Sequence, residues 1–233
     1  MPNETDLAGW SAAAFPEGAT LSGRFVRCEA LDPARHGAAL HNAFAGHHDL
    51  WTYMPWGPFR SAASFHRWVG DIARDPGWHY YALCDAATGT AQGKAAYLRI
   101  TPEHGVIEVG GITFSPALQQ SPAATEAMIL MMRWAFANGY RRYEWKCNAL
   151  NLASRRAAQR LGFSFEGVFR QHMVIKGQNR DTAWFAVTDQ DWPRLSAAYD
   201  LWLSPGNFDA EGRQRERLSD LTALVRVASD PAL

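Results

Sequence analysis

The segment from Asn151 to Gly162 has a spacing of polar and small residues that could serve chemistry on a bound ligand. Asn151 can cap a helix through its side-chain oxygen, and Gly162 can end that helix in the left-handed conformation. One face of the helix would carry small or apolar side chains at i, i+3, i+4 and i+7, namely Ser154, Ala157, Ala158 and Leu161. A thin ligand could lie along that face, although capped amphipathic helices also occur in α/β proteins of every function.

The full pattern N-x-x-S-x-x-A-A-x-x-L-G-F-x-x-E-G, from Asn151 to Gly167, is more specific than a capped helix. It resembles the acyl-CoA-binding helix of the GCN5-related N-acetyltransferases (GNAT), in the subgroup with the ribosomal-protein N-terminal acetyltransferases. The longer stretch from Glu144 to Phe185 is similar to a subgroup that includes the acetyltransferase domain conferring self-immunity to microcin C. The resemblance covers roughly residues 20–203 and implies acetyl-CoA as cosubstrate.

The order of predicted elements is a strand, two helices, three strands, a helix, a strand, a helix and two strands. This order agrees with the α/β (α+β) fold that the resemblance implies, with a mixed, mostly antiparallel central sheet and helices on both faces. We expect an N-terminal arm over residues 1–20, a GNAT domain over 21–190 and a helical extension over 191–233. In the extension we predict helices at Trp192–Leu203 and about 210–228. The second helix could dock its apolar stripe on the body or on a second subunit in a homodimer; the stripe comprises Leu218, Leu221, Leu224 and Val225.

A loop that leads into a helix N-terminus could hold the pyrophosphate of the cosubstrate, because free backbone N–H groups and the helix dipole favour anions there. The segment 118–127 resembles the family's Q-x-x-G-x-A-T-E-A, with Pro122 at the position of the Gly. Since proline has no N–H and a fixed φ, we expect binding with altered loop geometry, through the free N–H groups of Ala123 and Ala124. The expected cofactor contacts are Ile112, Phe114, Gln119, Gln120, Ala123, Ala124, Thr125, Asn151, Ser154 and Arg156.

Acetyl transfer to an amine needs a neutral amine and a proton for the departing thiolate, but no metal. In the family the strand matching 105–114 pairs with the pantetheine arm, and its Glu108 matches a carboxylate often proposed as base, directly or through water. A surface glutamate in a strand is the alternative interpretation. The resemblance implies Ser154 as proton donor, because Ala158 stands where many relatives have a tyrosine; water could also serve.

The acceptor would be a small-molecule or peptide amine. Tryptophan is abundant, with ten in 233 residues, and one loop is punctuated by proline and glycine and rich in aromatic residues. Core packing explains most of these rings, but an aromatic-lined pocket would suit the base of an aminoacyl nucleotide by stacking. Trp51, Trp56 and Trp184 are the candidate acceptor-binding residues. The rival functions are acetylation of a protein N-terminus and a non-catalytic acyl-CoA-binding module.

The composition and the first residues of the sequence limit the possible partners, location and metal sites. Lys plus Arg equals Asp plus Glu at 23 each, which disfavours nucleic acid and anionic membranes as partners. The first residues lack the pattern of a signal peptide, so we expect a cytoplasmic protein. Cys28, Cys84 and Cys147 are expected to be buried thiols, and the histidines match no zinc spacing.

Overall fold

The computed structural model describes residues 7–233, which form an eight-stranded sheet flanked by helices. The elements are β1 (Leu21–Ser22), β2 (Val26–Ala30), α1 (Pro33–Phe44), α2 (Ala62–Ile72), β3 (Trp78–Asp85), β4 (Ala91–Thr101), β5 (Val106–Phe114), α3 (Pro122–Ala137), β6 (Arg142–Asn148), α4 (Leu152–Arg160), β7 (Ser164–Ile175), β8 (Gln178–Thr188), α5 (Trp192–Leu203) and α6 (Leu218–Ala223). The strand order is β1-β2-β3-β4-β5-β6-β8-β7. Only the β5–β6 pair among these strands is parallel. The predicted mixed, mostly antiparallel sheet is therefore confirmed.

Apolar side chains of alternating strand positions face opposite sides of the sheet and build two core layers. One layer packs the sheet against α3 and α5 through residues such as Met131 and Phe185. The other packs β3 and β4 against α1 and α2, and its largest members are aromatic, such as Trp68. The three cysteines are buried free thiols, as predicted. Helices thus cover both faces of the sheet.

Strand β5 contains a bulge that separates it from β6. Lys94 pairs with Thr113 and Ala96 pairs with Gly110, so Gly111 and Ile112 together lie opposite one residue of β4. Gly111 has φ +57°, a conformation that glycine adopts without strain. The parallel pairing of β5 with β6 ends at Val109, and the strands separate beyond it.

The side chain of Lys94 holds this bulge in place through a hydrogen bond. Its side chain is fully buried, and Nζ donates a 2.7 Å hydrogen bond to the carbonyl oxygen of Gly111. The rings of Trp56, Trp68 and Tyr80 surround Nζ at 5.3, 5.0 and 5.0 Å. Burial lowers the pKa of Lys94 to about 7.

The N-terminal segment contacts the body within its described part. Ala13 N–H donates to Pro102 O at 3.1 Å, and Ala14 N–H donates to Asn138 O at 3.0 Å. Part of the arm predicted over 1–20 therefore packs on the domain. Residues 1–6 of that arm lie outside the described residues.

The C-terminal extension differs from the prediction. The helix at Trp192–Leu203 is confirmed, but the second helix, predicted over about 210–228, covers only Leu218–Ala223. The reason lies in Asp209, whose side chain accepts the N–H groups of Glu211 and Arg213 at 3.1 and 2.8 Å and so competes with helical bonding. The predicted apolar stripe is also wrong at Leu224, which is 77% exposed.

Candidate active site

The separation of β5 from β6 leaves a wedge-shaped gap in the sheet. From Gly110 to Phe114 the edge of β5 that faces away from β4 has no strand partner, whereas β6 stays paired with β8. The N-termini of α3 and α4 follow β5 and β6 directly, so they lie at the open end of the gap. Unpaired strand backbone and two helix N-termini suit an extended ligand with amides and phosphates. The predicted contacts Ile112 and Phe114 lie on this free edge and are half-buried.

Ser154 lies in the first turn of α4 beside the gap. Its Oγ accepts a 3.0 Å hydrogen bond from Trp145 Nε1 of strand β6. Cys147 is its other neighbour; burial raises the pKa of that thiol to about 11, and the Ser154 hydroxyl acts in the opposite direction. The serine is half-buried and held in one orientation, which a proton donor requires.

Asn151 caps α4 as predicted, with Oδ1 accepting the Ser154 N–H at 3.1 Å. Gly162 follows the helix with φ +88°, also as predicted. The small-residue face, however, does not offer a surface along its whole length. Ala158 and Leu161 are buried in the core, whereas Ser154 and Ala157 are half-buried, so a ligand can reach only the N-terminal part of that face.

Glu108 is a buried carboxylate, and the surface interpretation is wrong. It is 3% exposed and contacts Arg99 Nη1 at 2.6 Å and Lys146 Nζ at 3.1 Å. Burial raises the pKa of Glu108 above its ordinary value, although Lys146 and Arg99 act to lower it. A carboxylate with a raised pKa, immediately before the gap, suits a general base.

The loop before α3 has two local features that fix its path into the helix. Gln120 adopts the left-handed conformation with φ +56°, and the Gln119 side chain donates to the Phe114 carbonyl oxygen at 3.1 Å. Contrary to expectation, the Ala124 N–H is not free, because it donates to the N-cap Ser121 Oγ at 3.1 Å. Among the described residues, the N–H groups of Gln120 and Ala123 have no hydrogen-bond partner, so these two remain for an anion.

Two neighbouring arginines of α4 lie in different environments. Arg155 is buried, and its Nε and Nη2 contact Asp230 at 2.6 and 2.5 Å. Arg156 is exposed, and its predicted cofactor contact is not tested by this arrangement.

Arg160 was missed by the sequence analysis. Its Nη1 donates at 3.0 Å to Oγ1 of Thr125, a predicted cofactor contact that is buried near the start of α3. No carboxylate lies within ion-pair distance of Arg160 among the described residues. A cation next to the N-terminus of α3 adds to the positive end of the helix dipole. Arg160 is the last residue of α4, and its contact with α3 spans 35 residues of sequence, which no local pattern reveals.

The three candidate acceptor tryptophans lie in different environments. Trp51 is 3% exposed, and its ring packs edge-on against Phe44, Phe59 and Trp68, so it belongs to the core and offers no free stacking face.

Trp56 packs on Trp68 and Trp78 near the bulge of β5. Trp184 is half-buried on β8, with Lys146 Nζ 3.7 Å from its ring centroid and the Phe169 ring at 4.5 Å. Of the three candidates, Trp184 lies beside the Glu108 network.

The loop between α1 and α2, residues 45–61, closes over this face of the sheet through two contacts. The Tyr53 hydroxyl donates to the Leu150 carbonyl oxygen at 3.2 Å, next to the start of α4. Lys176, at the β7–β8 turn, donates through Nζ to the Trp51 carbonyl oxygen at 2.9 Å. Together the two contacts hold the loop over the polar face of β6 and β8, and we call this region the loop-covered face.

A second polar cluster lies away from the gap. Atoms of Glu29, His36 and Cys84 that could bind a metal lie within 4.8 Å of one another. Glu29 already contacts Arg27 at 3.1 Å and Arg35 at 2.7 Å, and burial raises the pKa of the Cys84 thiol to about 11. These contacts favour an ion-pair cluster over metal coordination. No helix in the described part of the chain is both long and apolar enough to cross a membrane.

Comparison with known proteins places this arrangement in a family. Residues 29–164 match the model of the acetyltransferase (GNAT) domain. The chain is 43% identical to a crystal structure of a GCN5-related N-acetyltransferase from Brucella melitensis, with a TM-score of 0.90, over 93% of this chain and 100% of that one. A probable GNAT-family acetyltransferase from Chromobacterium violaceum is 41% identical, with a TM-score of 0.78, over 83% of this chain and 98% of that one.

A more distant structure shares the fold alone. The ribosomal L7/L12 alpha-N-protein acetyltransferase RimL is 20% identical, with a TM-score of 0.62, over 75% of this chain and 98% of that one. The comparison with curated protein sequences gave no match. The sheet that opens between β5 and β6, the matched domain and the two relatives above 40% identity lead to one conclusion: the chain belongs to the GNAT family of N-acetyltransferases, enzymes that use acetyl-CoA.

Proposed function

We propose that this GNAT protein transfers an acetyl group from acetyl-CoA directly to a small primary amine in a ternary complex. The observation that carries the proposal is that Glu108, on β5, comes just before the gap and Ser154, in the first turn of α4, lies beside it. Acetyl-CoA, when bound, supplies the activated thioester. Holding two reactants in line contributes about 7–11 kcal/mol toward the barrier in favourable cases.

The chain's own groups would handle the protons. As the C–N bond forms and the C–S bond breaks, Glu108 takes the amine proton, and the departing thiolate takes a proton from the Ser154 hydroxyl, which solvent then replaces. The free edge of β5 and Asn151 would hold the pantetheine amides. The N–H groups of Gln120 and Ala123, together with Arg160, would hold the pyrophosphate.

The loop-covered face favours a small acceptor. The Tyr53–Leu150 and Lys176–Trp51 contacts hold the loop against the start of α4 and the β7–β8 turn, which would restrict entry of a folded polypeptide. Trp184 is half-buried on this face, and the part of its ring not covered by Lys146 and Phe169 would contact the base of an aminoacyl nucleotide, the acceptor suggested by the resemblance to the microcin C self-immunity domain. The alternative is the N-terminus of a protein, which the fold shared with the ribosomal L7/L12 enzyme suggests.

The test is release of free thiol from acetyl-CoA with a panel of acceptors. The panel contains amino acids, aminoacyl sulfamoyl nucleosides and peptides with free N-termini, each matched by its N-acetylated form as a control. We expect thiol release with small amines and none with the acetylated controls. Release with peptides alone would support the alternative, and no release with any amine would refute the proposal.

A further inference from the structure

Arg180 on strand β8 is a half-buried cation without a partner. Strand alternation places it on the same face as Thr182 and Trp184, opposite the core residues Ala183 and Phe185. Its Nε is inaccessible to solvent and has no hydrogen-bond partner. No side chain among residues 7–233 forms an ion pair with its guanidinium. Buried charges in proteins are usually paired, so this exception requires an explanation.

The neighbouring carboxylates on this face are already paired with cations other than Arg180. Three carboxylates and three cations form one connected ion-pair network, which consists of Arg99, Glu108, Lys146, Glu144, Arg142 and Glu166. Each carboxylate contacts at least one cation within 3.1 Å, so none is left to neutralise a fourth. The positive charge of Arg180 is therefore left without a carboxylate partner.

That charge lies within electrostatic reach of the proposed base. Burial lowers the pKa of Arg180, while Cys147 and Glu108 act to raise it and Arg99 adds to the lowering. Arg180, on β8, therefore interacts electrostatically with groups on β4, β5 and β6. It lies two residues from Thr182, whose Oγ1 is 2.9 Å from His172 Nδ1, and four residues from Trp184.

We infer that Arg180 is the receptor for an anionic group of the acceptor, so that the substrate is a small amine that also carries a carboxylate or a phosphate. This inference rests on the proposed function. The guanidinium offers several N–H donors in a fixed plane, which match the oxygens of either anion. An anion on Arg180 would relieve its desolvation and hold the amine on the side of Glu108.

The test compares matched acceptors with and without the acidic group. Amino acids are paired with their amides for the carboxylate, and 2-aminoethyl phosphate is paired with ethanolamine for the phosphate. The proteins are the wild type, Arg180→Gln, Arg180→Lys and, as a control, Arg170→Gln, which changes an exposed arginine on β7. Thiol release gives kcat and KM, and calorimetry with the same compounds in saturating CoA gives binding without turnover.

We expect the wild type to prefer the acidic member of at least one pair. Arg180→Gln should raise the KM and Kd of that acidic member by about tenfold or more, equivalent to about 1.4 kcal/mol, and leave the KM of acetyl-CoA unchanged. Arg180→Lys should restore part of the preference, and Arg170→Gln should match the wild type. Whether the carboxylate or the phosphate pair responds identifies the anion.

Two results separate this inference from the proposed function. If amines are acetylated but the acidic and neutral members behave alike, or Arg180→Gln keeps the preference, the anion site is refuted and the transferase proposal stands. If the acidic compounds bind in an Arg180-dependent manner but no thiol is released with any amine, the anion site is supported and the proposed function fails.

Discussion

The indole N–H of Trp145 donates a 3.0 Å hydrogen bond to Oγ of Ser154, linking strand β6 to the first turn of helix α4. This bond occupies one lone pair of the hydroxyl oxygen and fixes the Ser154 side chain beside the gap. The hydroxyl proton is not used in that bond; in the structure its neighbour is Cys147, and in the proposed reaction it would turn to the departing thiolate.

Replacement of Ser154 should therefore affect the chemical step more than binding. We expect Ser154→Ala to lower kcat by about 100-fold, the lower end of the usual range for general acid catalysis, with little change in the KM of acetyl-CoA. Ser154→Thr keeps a hydroxyl and should recover part of the rate. An unchanged kcat in Ser154→Ala would assign the proton to water.

The buried carboxylate of Glu108 predicts an acid limb in the pH–rate profile. The base must be ionised to act, and burial raises its pKa, so kcat/KM should fall as the pH drops through a value above the ordinary carboxylate range. The profile should be measured from pH 4.5 to 9 with acceptors of different amine pKa. Glu108→Gln should lose the limb that is common to all acceptors and keep the limb that moves with the amine. A common limb that persists in Glu108→Gln would contradict its role as base.

The position of Arg160 predicts that its replacement weakens recognition of the CoA pyrophosphate selectively. Because its guanidinium reaches Thr125 near the start of α3, Arg160→Gln should weaken CoA binding by about tenfold, about 1.4 kcal/mol. Binding of pantetheine, which lacks the pyrophosphate, should not change. Calorimetry with both ligands measures the contrast, and Arg74→Gln, on an exposed arginine far from α3, is the control. Equal weakening of both ligands would indicate a structural defect instead.

The Arg155–Asp230 pair predicts a large effect on stability. Both side chains are buried, so removal of one partner leaves an unpaired buried charge, and Arg155→Met or Asp230→Leu should cost about 3–5 kcal/mol in the free energy of unfolding. The double variant should cost less than the sum of the two. Urea denaturation measures each value. Arg74→Met, which breaks an exposed pair with Asp71, should cost less than about 1 kcal/mol. If breaking the Arg155–Asp230 pair lowered the free energy of unfolding as little as breaking the Arg74–Asp71 pair, the stabilising role of the buried pair would be refuted.

The buried side chain of Lys94 predicts that the free energy of unfolding depends on pH. Burial lowers the pKa of Lys94 in the folded chain to about 7 from its ordinary value of 10.5, so between these values the unfolded chain binds a proton that the folded chain does not. Stability should therefore rise with pH in this window, by up to about 1.4 kcal/mol per unit. Urea denaturation at pH 7, 8 and 9 should show that the free energy of unfolding of the wild type increases relative to that of Lys94→Met, because this variant lacks the titrating group. A constant difference between the two proteins would contradict the lowered pKa.

Local patterns in the sequence predicted local structure well. The Asn151 cap and the left-handed Gly162 both depend on residues within one or two turns, and each is present in the structure. The proposed helix over 210–228 failed because Asp209 forms a competing turn.

The site residues that the sequence did not reveal depend on contacts between distant segments. Arg155 has the same helical spacing as its neighbours, but its partner Asp230 lies 75 residues away. Arg180 differs from the other cations because it has no ion-pair partner. This absence can be recognised only when the ion pairs on β5, β6 and β7 are known. Charge pairing across a sheet is decided by strand order, which the composition does not encode.

The distance in sequence between Arg155 and Asp230 also bears on synthesis. Arg155 belongs to the helix proposed to bind acetyl-CoA, and it leaves the ribosome well before its partner, since 75 residues separate the two. Until Asp230 emerges, α4 carries an unpaired charge that must be buried for the helix to dock. The nascent chain should therefore complete the proposed acetyl-CoA site only after Asp230 has been synthesised.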